Sequence, residues 1–145
     1  MKTRGKGQEG FTLIEMIVVM IILAVIAGLV GPRLFKNVAR AKKNAAKAQI
    51  QLLGIALDQY RLDNDMYPST EQGLEALMKQ PVTPPIPDNW DGPYLKKEIP
   101  LDPWGREYYY ESPGTYDADG YDLYSLGRDG IEGGEDEDED IVSWK

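Results

Sequence analysis

Eight of the chain's 24 acidic residues fall within positions 129–140, DGIEGGEDEDED, and no basic residue interrupts them. The chain has no histidine and no cysteine. Thiol and imidazole nucleophiles or bases, nitrogen- or sulfur-ligated metal centres and disulfides are therefore excluded. What remains for this stretch is oxygen ligation of a hard cation, and Ca²⁺, with six to eight oxygen ligands, suits it better than the more firmly hydrated Mg²⁺. An EF-hand is not present, because the third position counted from Asp129 is Ile131. Eight mutually repelling carboxylates either gather a cation or stay solvated, and composition alone leaves both open. The same window carries the whole charge imbalance. The formal charge is −8, from 16 bases and 24 acids, and outside the window 16 acids face 16 bases. Other carboxylates, Asp119 and Asp122 among them, sit in no cleft-forming motif with a partner for acid/base work, which disfavours a membrane-tethered hydrolase or carbohydrate-binding domain.

The second informative carboxylate is Glu15, the one charge in the apolar run FTLIEMIVVMIILAVIAGLVG from Phe11 to Gly31. At about 1.5 Å per residue the run reaches roughly 30 Å, the thickness of a bilayer's hydrocarbon core. Lys2, Arg4 and Lys6 precede it, so the amino terminus is expected in the cytoplasm and the remainder across the membrane. A secretory signal peptide fits less well: the run is long for an h-region, no small-x-small site precedes a polar start, and a carboxylate lies near its beginning. No basic residue lies within a helical turn of Glu15. It either snorkels to the headgroups or pairs with a positive charge on another chain.

The elements that must position these groups can be read in outline. Pro32 removes a backbone donor, so a kink or a locally melted turn is expected after the span. The helix should then resume over 32–64, with Leu34, Val38, Ala41, Ala45, Ala48, Leu52 and Ile55 spaced 4, 3, 4, 3, 4, 3 on one stripe. Leu52, Ile55 and Leu62 are expected beneath the folded domain and the alanines against neighbouring helices. Arg33, Lys36, Arg40, Lys42, Lys43 and Lys47 cover other faces, as a solvated surface or one attracted to anionic headgroups. Nucleic-acid binding is not expected of a neutral-to-acidic domain outside the cytoplasm.

The helix should stop near Asp63–Asn64, before Tyr67–Pro68. Ser69 with Gln72 forms a capping box that would open a short helix through Met78. Five prolines make 81–93 an irregular loop, and Asp102-Pro103-Trp104-Gly105 has the preferences of a type I turn. Arg106–Glu111, Tyr121–Ser125 and Ile141–Trp144 read as short strands. A long helix first and a small antiparallel sheet last give an α+β fold, with residues 65–145 as its globular part and 125–141 as a loop between the last two strands.

Gly10-Phe11-Thr12-Leu13-Ile14-Glu15, behind a basic leader and heading an apolar helix, resembles the class III signal of type IV pilins and pseudopilins. The resemblance implies that residues 1–10 are a cytoplasmic leader, that a prepilin peptidase cuts between Gly10 and Phe11 and N-methylates Phe11, and that Glu15 pairs with the Phe11 amino group of a neighbouring subunit. Tyr67-Pro68-Ser69-Thr70-Glu71-Gln72-Gly73-Leu74, Asp102-Pro103-Trp104-Gly105, Ser125-Leu126-Gly127-Arg128-Asp129-Gly130 and the closing Asp140-Ile141-Val142-Ser143-Trp144 are together similar to the major pseudopilins of type II secretion systems.

That family implies a pilin-like fold and a structural, non-enzymatic subunit. The subunit is anchored in the inner membrane and assembles into a periplasmic helical filament that helps export folded proteins. Implied partners are further copies of the chain, minor pseudopilins, the prepilin peptidase, an inner-membrane platform protein, a cytoplasmic ATPase and, indirectly, an outer-membrane secretin. An extracellular type IV-like pilus or DNA-uptake subunit is the alternative; such pilins usually carry a disulfide that this chain cannot form. The family also implies one structural Ca²⁺. Carried onto this sequence, its ligands are the carbonyls of Leu126 and Ile131 and the carboxylates of Asp129, Asp140 and Asp138, with Glu139 the other candidate for the last place.

Overall fold

The computed structural model of the chain describes residues 10–145, and Met1 to Glu9 of the leader lie outside the described residues. One helix, α1 (Leu13–Asn64), dominates. Two compact units divide the chain, one reaching to Val38 and the other Ala39–Lys145.

In the first unit every large apolar side chain from Phe11 to Val38 that is described is exposed. The helix here is long and apolar enough to cross a membrane by length and composition. Helix α1 continues without interruption through Pro32, so the expected melted turn is not found. Proline withholds one backbone donor, and the hydrogen bonds of the flanking turns hold the helix on either side.

In the second unit α1 supplies one wall of the core. Ala46, Ile50, Leu53, Leu57 and Tyr60 are buried and spaced 4, 3, 4, 3. They pack with Leu74, Ala76, Leu77, Tyr108, Leu123 and Ile141. This corrects the expectation for Leu52, Ile55 and Leu62, which are 63%, 64% and 82% exposed. Both stripes have the helical repeat, and periodicity cannot say which one the rest of the chain will cover. The helix closes where expected: Asp65 takes a positive φ of 60° and its N–H donates to the Arg61 carbonyl at 2.8 Å.

The capping box forms. Ser69 N–H donates to Gln72 Oε1 at 3.0 Å and Gln72 N–H to Ser69 Oγ at 3.3 Å. It opens a turn followed by a 3₁₀ helix, Leu74–Leu77, rather than the α-helix expected through Met78. Gly73, at φ 58°, interrupts the helical backbone between the box and Leu74. Gln72 is buried, and its Nε2 donates to the carbonyls of Thr83 and Pro85, both at 2.7 Å, which holds the proline-rich loop on the core.

The strands are shorter than their sequence outlines: β1 (Tyr109–Glu111), β2 (Asp122–Ser125) and β3 (Ile141–Val142). They form one antiparallel sheet in that order, with Tyr110 opposite Leu123 and Ser125 opposite Ile141. Leu123 and Ile141 enter the core, while Tyr109 and Tyr124 stack at 5.1 Å as a directly opposed pair. The predicted Asp102–Gly105 turn is present, with Gly105 N–H donating to the Asp102 carbonyl at 2.9 Å.

Candidate functional site

The head of α1 holds the first group of site residues. Gly10, Phe11 and Thr12 are exposed and precede the helix, so the Gly10–Phe11 bond lies in non-helical, accessible chain. Glu15 Oε2 accepts from the Thr12 N–H at 2.7 Å and the Thr12 hydroxyl at 2.9 Å, and Glu15 N–H donates back to Thr12 Oγ1 at 3.3 Å. This is a reciprocal capping box. Its signal, Thr followed three residues later by Glu at the head of an apolar run, is present in the sequence. All three bonds use Oε2 or the backbone, and among the described residues none engages Oε1.

The second group lies in the loop from Ser125 to Ile141, whose base is firmly built. Buried Asp102 accepts through Oδ1 from the N–H groups of Trp104 (3.0 Å) and Arg106 (2.8 Å), and through Oδ2 from the Ser125 hydroxyl at 2.6 Å. The Asp-Pro-Trp-Gly turn thus anchors the end of β2 where the loop departs. Arg106, directly after the turn, donates through one terminal nitrogen to the carbonyls of Gly127 and Arg128. Sequence reasoning missed Arg106, since an isolated arginine beside a turn carries no pattern of its own. Asp122, a conceivable acid/base group by sequence, is buried and accepts from the N–H groups of Tyr116 (2.8 Å) and Asp117 (3.1 Å). Those bonds make it a structural anchor.

The two ends of the loop meet at Gly127. Its φ is 64°, and a Cβ there would sit 2.8 Å from the Glu139 carbonyl oxygen and 3.2 Å from that of Asp138. Only glycine admits both the backbone angle and the approach. The segments carrying Leu126, Asp129 and Ile131 on one side and Asp138, Glu139 and Asp140 on the other are thereby brought together.

Within this frame the candidate ligands have distinct partners. The Leu126 carbonyl accepts from Gly130 N–H at 3.2 Å, and Asp129 Oδ1 accepts from Ile131 N–H at 3.1 Å. Ile131 is exposed. Asp140 Oδ2 accepts from Gly133 N–H at 2.8 Å, while its Oδ1 is buried with no hydrogen-bond partner among the described residues. Arg128 grips Asp138 through Nε at 2.8 Å and Nη2 at 3.2 Å, and meets Glu137 through Nη1 at 2.5 Å.

Glu139 accepts from Lys43 Nζ at 3.0 Å, and Lys145 lies 3.8 Å from its other oxygen. The Lys43 hydrogen bond and charge hold the Glu139 carboxyl below its ordinary range. Lys43 also donates to the Asp136 carbonyl at 2.6 Å. Among the described residues no three acidic side chains converge as a ready cluster. The donor set nevertheless suits a hard cation: every candidate atom is oxygen, and the orphaned Asp140 Oδ1 lacks the partner that buried carboxylate oxygens ordinarily find.

An exposed apolar helix head with an accessible Gly-Phe junction, continuing into a helix that packs on a small antiparallel sheet, defines a pilin-like subunit of the pseudopilin class. Comparison with known proteins narrows the class. Residues 33–144 match the type II secretion system (T2SS), protein G family, and residues 5–31 match the prokaryotic N-terminal methylation motif. A type II secretion system core protein G from Pseudomonas aeruginosa is 51% identical over 139 residues, 96% of each chain. That of Escherichia coli K12 is 46% identical over 137 residues, 94% of this chain and 91% of the relative. The crystal structure of the major pseudopilin from the type 2 secretion system of enterohaemorrhagic E. coli superposes with a TM-score of 0.65 at 40% identity, covering 78% of this chain and 95% of that one. The chain belongs to the type II secretion system protein G family, the major pseudopilins.

Proposed function

We propose that the chain is made as a single-pass inner-membrane precursor with a cytoplasmic leader, cut between Gly10 and Phe11 by a prepilin peptidase and N-methylated at Phe11. The processed subunit, its carboxy-terminal unit in the periplasm, assembles with further copies and minor pseudopilins into a periplasmic pseudopilus. A cytoplasmic ATPase and an inner-membrane platform protein drive growth, and folded proteins leave through an outer-membrane secretin. The subunit's part is structural and non-enzymatic. The observation that carries this reading is the wholly exposed apolar head of α1, which needs lipid around it before assembly and neighbouring helices after it. Glu15 keeps Oε1 outside the capping box. It is thus free to accept the Phe11 amine of a neighbour, so a buried ion pair would set the register between subunits.

The carboxy-terminal loop holds one structural Ca²⁺ through the Leu126 and Ile131 carbonyls and the carboxylates of Asp129, Asp140 and Asp138, Glu139 being the other candidate for the last place. Bound there, the ion supplies positive charge that ties the two ends of an acidic loop together. The all-oxygen donor set and the orphaned Asp140 Oδ1 support it.

The test of the assembly reading is Gly10→Ala and Glu15→Ala in the native host. Gly10→Ala is expected to leave unprocessed precursor in the inner membrane. Glu15→Ala should be processed yet fail to form filaments or support secretion. Normal secretion by both variants would overturn the reading.

A further inference from the structure

The proposed calcium loop leaves one side chain without a role, and the structure gives it contacts that bear directly on cation binding. Arg128 lies between Gly127 and the candidate ligand Asp129, and its guanidinium reaches across the loop to the other candidate segment. Nε and Nη2 engage the two oxygens of Asp138 separately, at 2.8 and 3.2 Å, while Nη1 takes Glu137 at 2.5 Å. A bidentate fork of this kind occupies the acceptor directions that a cation would need.

The other bases at the loop engage groups other than Asp138. Lys43 and Lys145 meet Glu139, and Arg106 meets backbone carbonyls. One oxygen of Asp140 has no partner among the described residues. Of the candidate carboxylates, Asp138 is the one with both oxygens held by a single side chain.

We propose that Arg128 is a tethered counter-ion that competes with the divalent cation for Asp138 and so sets the loop's cation affinity. The proposal rests on the calcium reading above. With no ion bound, Arg128 offsets one of the two charges of Glu137 and Asp138 and holds the two loop segments together. When calcium binds, the guanidinium releases Asp138 and swings outward, which its half-exposed position permits. The loop then has an internal substitute for the ion, and the free energy of that substitute is subtracted from the ion's binding.

Calcium titration calorimetry on the full processed chain in detergent, after chelator treatment, tests this. Arg128→Gln is expected to tighten calcium binding roughly fivefold, the scale of a partly exposed charge-assisted pair. Lys43→Gln removes the same charge from Glu139, the other candidate for the last place, without touching Asp138, and should change affinity less than about twofold if Asp138 is the ligand. Arg128→Lys keeps the charge, loses the fork, and should fall between wild type and Arg128→Gln. In an Asp138→Asn background the Arg128→Gln effect should vanish.

Unchanged or weaker binding by Arg128→Gln, with wild type still binding, overturns the competition and leaves the calcium site standing. Equal tightening by Lys43→Gln does the same, since general charge, or Lys43's hold on Glu139, would then account for it. Absence of calcium binding in both wild type and Arg128→Gln overturns the site and the competition together.

Discussion

Glu15 at the head of α1 and the carboxylates of the carboxy-terminal loop meet their partners over very different distances along the chain. Glu15 is held by Thr12, three residues away, inside a capping box that the helix start itself creates. Glu139 is held by Lys43, 96 residues earlier, and Asp138 by Arg128, ten residues earlier. The head is therefore ordered by local backbone chemistry, and its unmet needs point outside the chain, to lipid and to other subunits. The loop is ordered only once the second unit has folded, because its counter-ions come from a helix, a turn and the chain terminus that tertiary structure brings together. Local order makes the head a transferable module, whereas the loop reports the state of the whole unit.

The contrast is sharpest in the core beneath the loop. Leu53→Ala opens a cavity at a fully buried site and is expected to cost roughly 2–5 kcal/mol in thermal or denaturant unfolding. Leu52→Ala, one residue earlier on an exposed face, should stay within about 0.5 kcal/mol. If Leu52→Ala proved the more damaging, the assignment of the core-facing stripe would fail. A smaller effect is expected from the ion. Chelation should lower the melting temperature by about 4–8 °C for each kcal/mol of binding lost, and Asp129→Ala should remove that sensitivity. A melting temperature indifferent to calcium would leave the loop dependent on its bases alone.

The smallest effect concerns pH. The Glu139 carboxyl is held below its ordinary value of 4.5 chiefly by the Lys43 hydrogen bond. A depressed carboxylate favours the folded state above the unfolded value, so its stabilisation is present above about pH 4.5 and fades as pH falls through the folded value. Lys43→Met should flatten the loss of stability on acidification in that window while leaving stability at pH 10 nearly level with a Lys43-intact chain whose Glu139 is replaced by Gln. An unaltered acid limb would show that the pair contributes nothing in solution.

Much of this was legible from residues alone. The α1 end near Asp63–Asn64, the Ser69–Gln72 box, the Asp102–Gly105 turn and all three strands were legible because each is written in short-range chemistry: a cap, a turn residue, an alternation. The core face of α1 was not. Leu52 and Leu53 are neighbours of identical type, and the stripe through each repeats with helical spacing. Nor could the sequence show that Glu137, Asp138 and Glu139 find bases within their own unit, for those contacts depend on how α1 and the loop pack.

Taken by itself, the sequence determined the class of protein: an apolar head behind a basic leader, one carboxylate at its start, and an acidic loop with neither histidine nor cysteine to compete for an ion. These are matters of composition and spacing, which need no partner element to be true. Tertiary structure alone decided which stripe of α1 is buried, that Asp102 anchors Ser125, and that Arg128 and Lys43 serve as the loop's counter-ions. The physical reason is that burial and ion pairing depend on distances in space, and a periodic helix offers several equivalent faces until a sheet covers one of them.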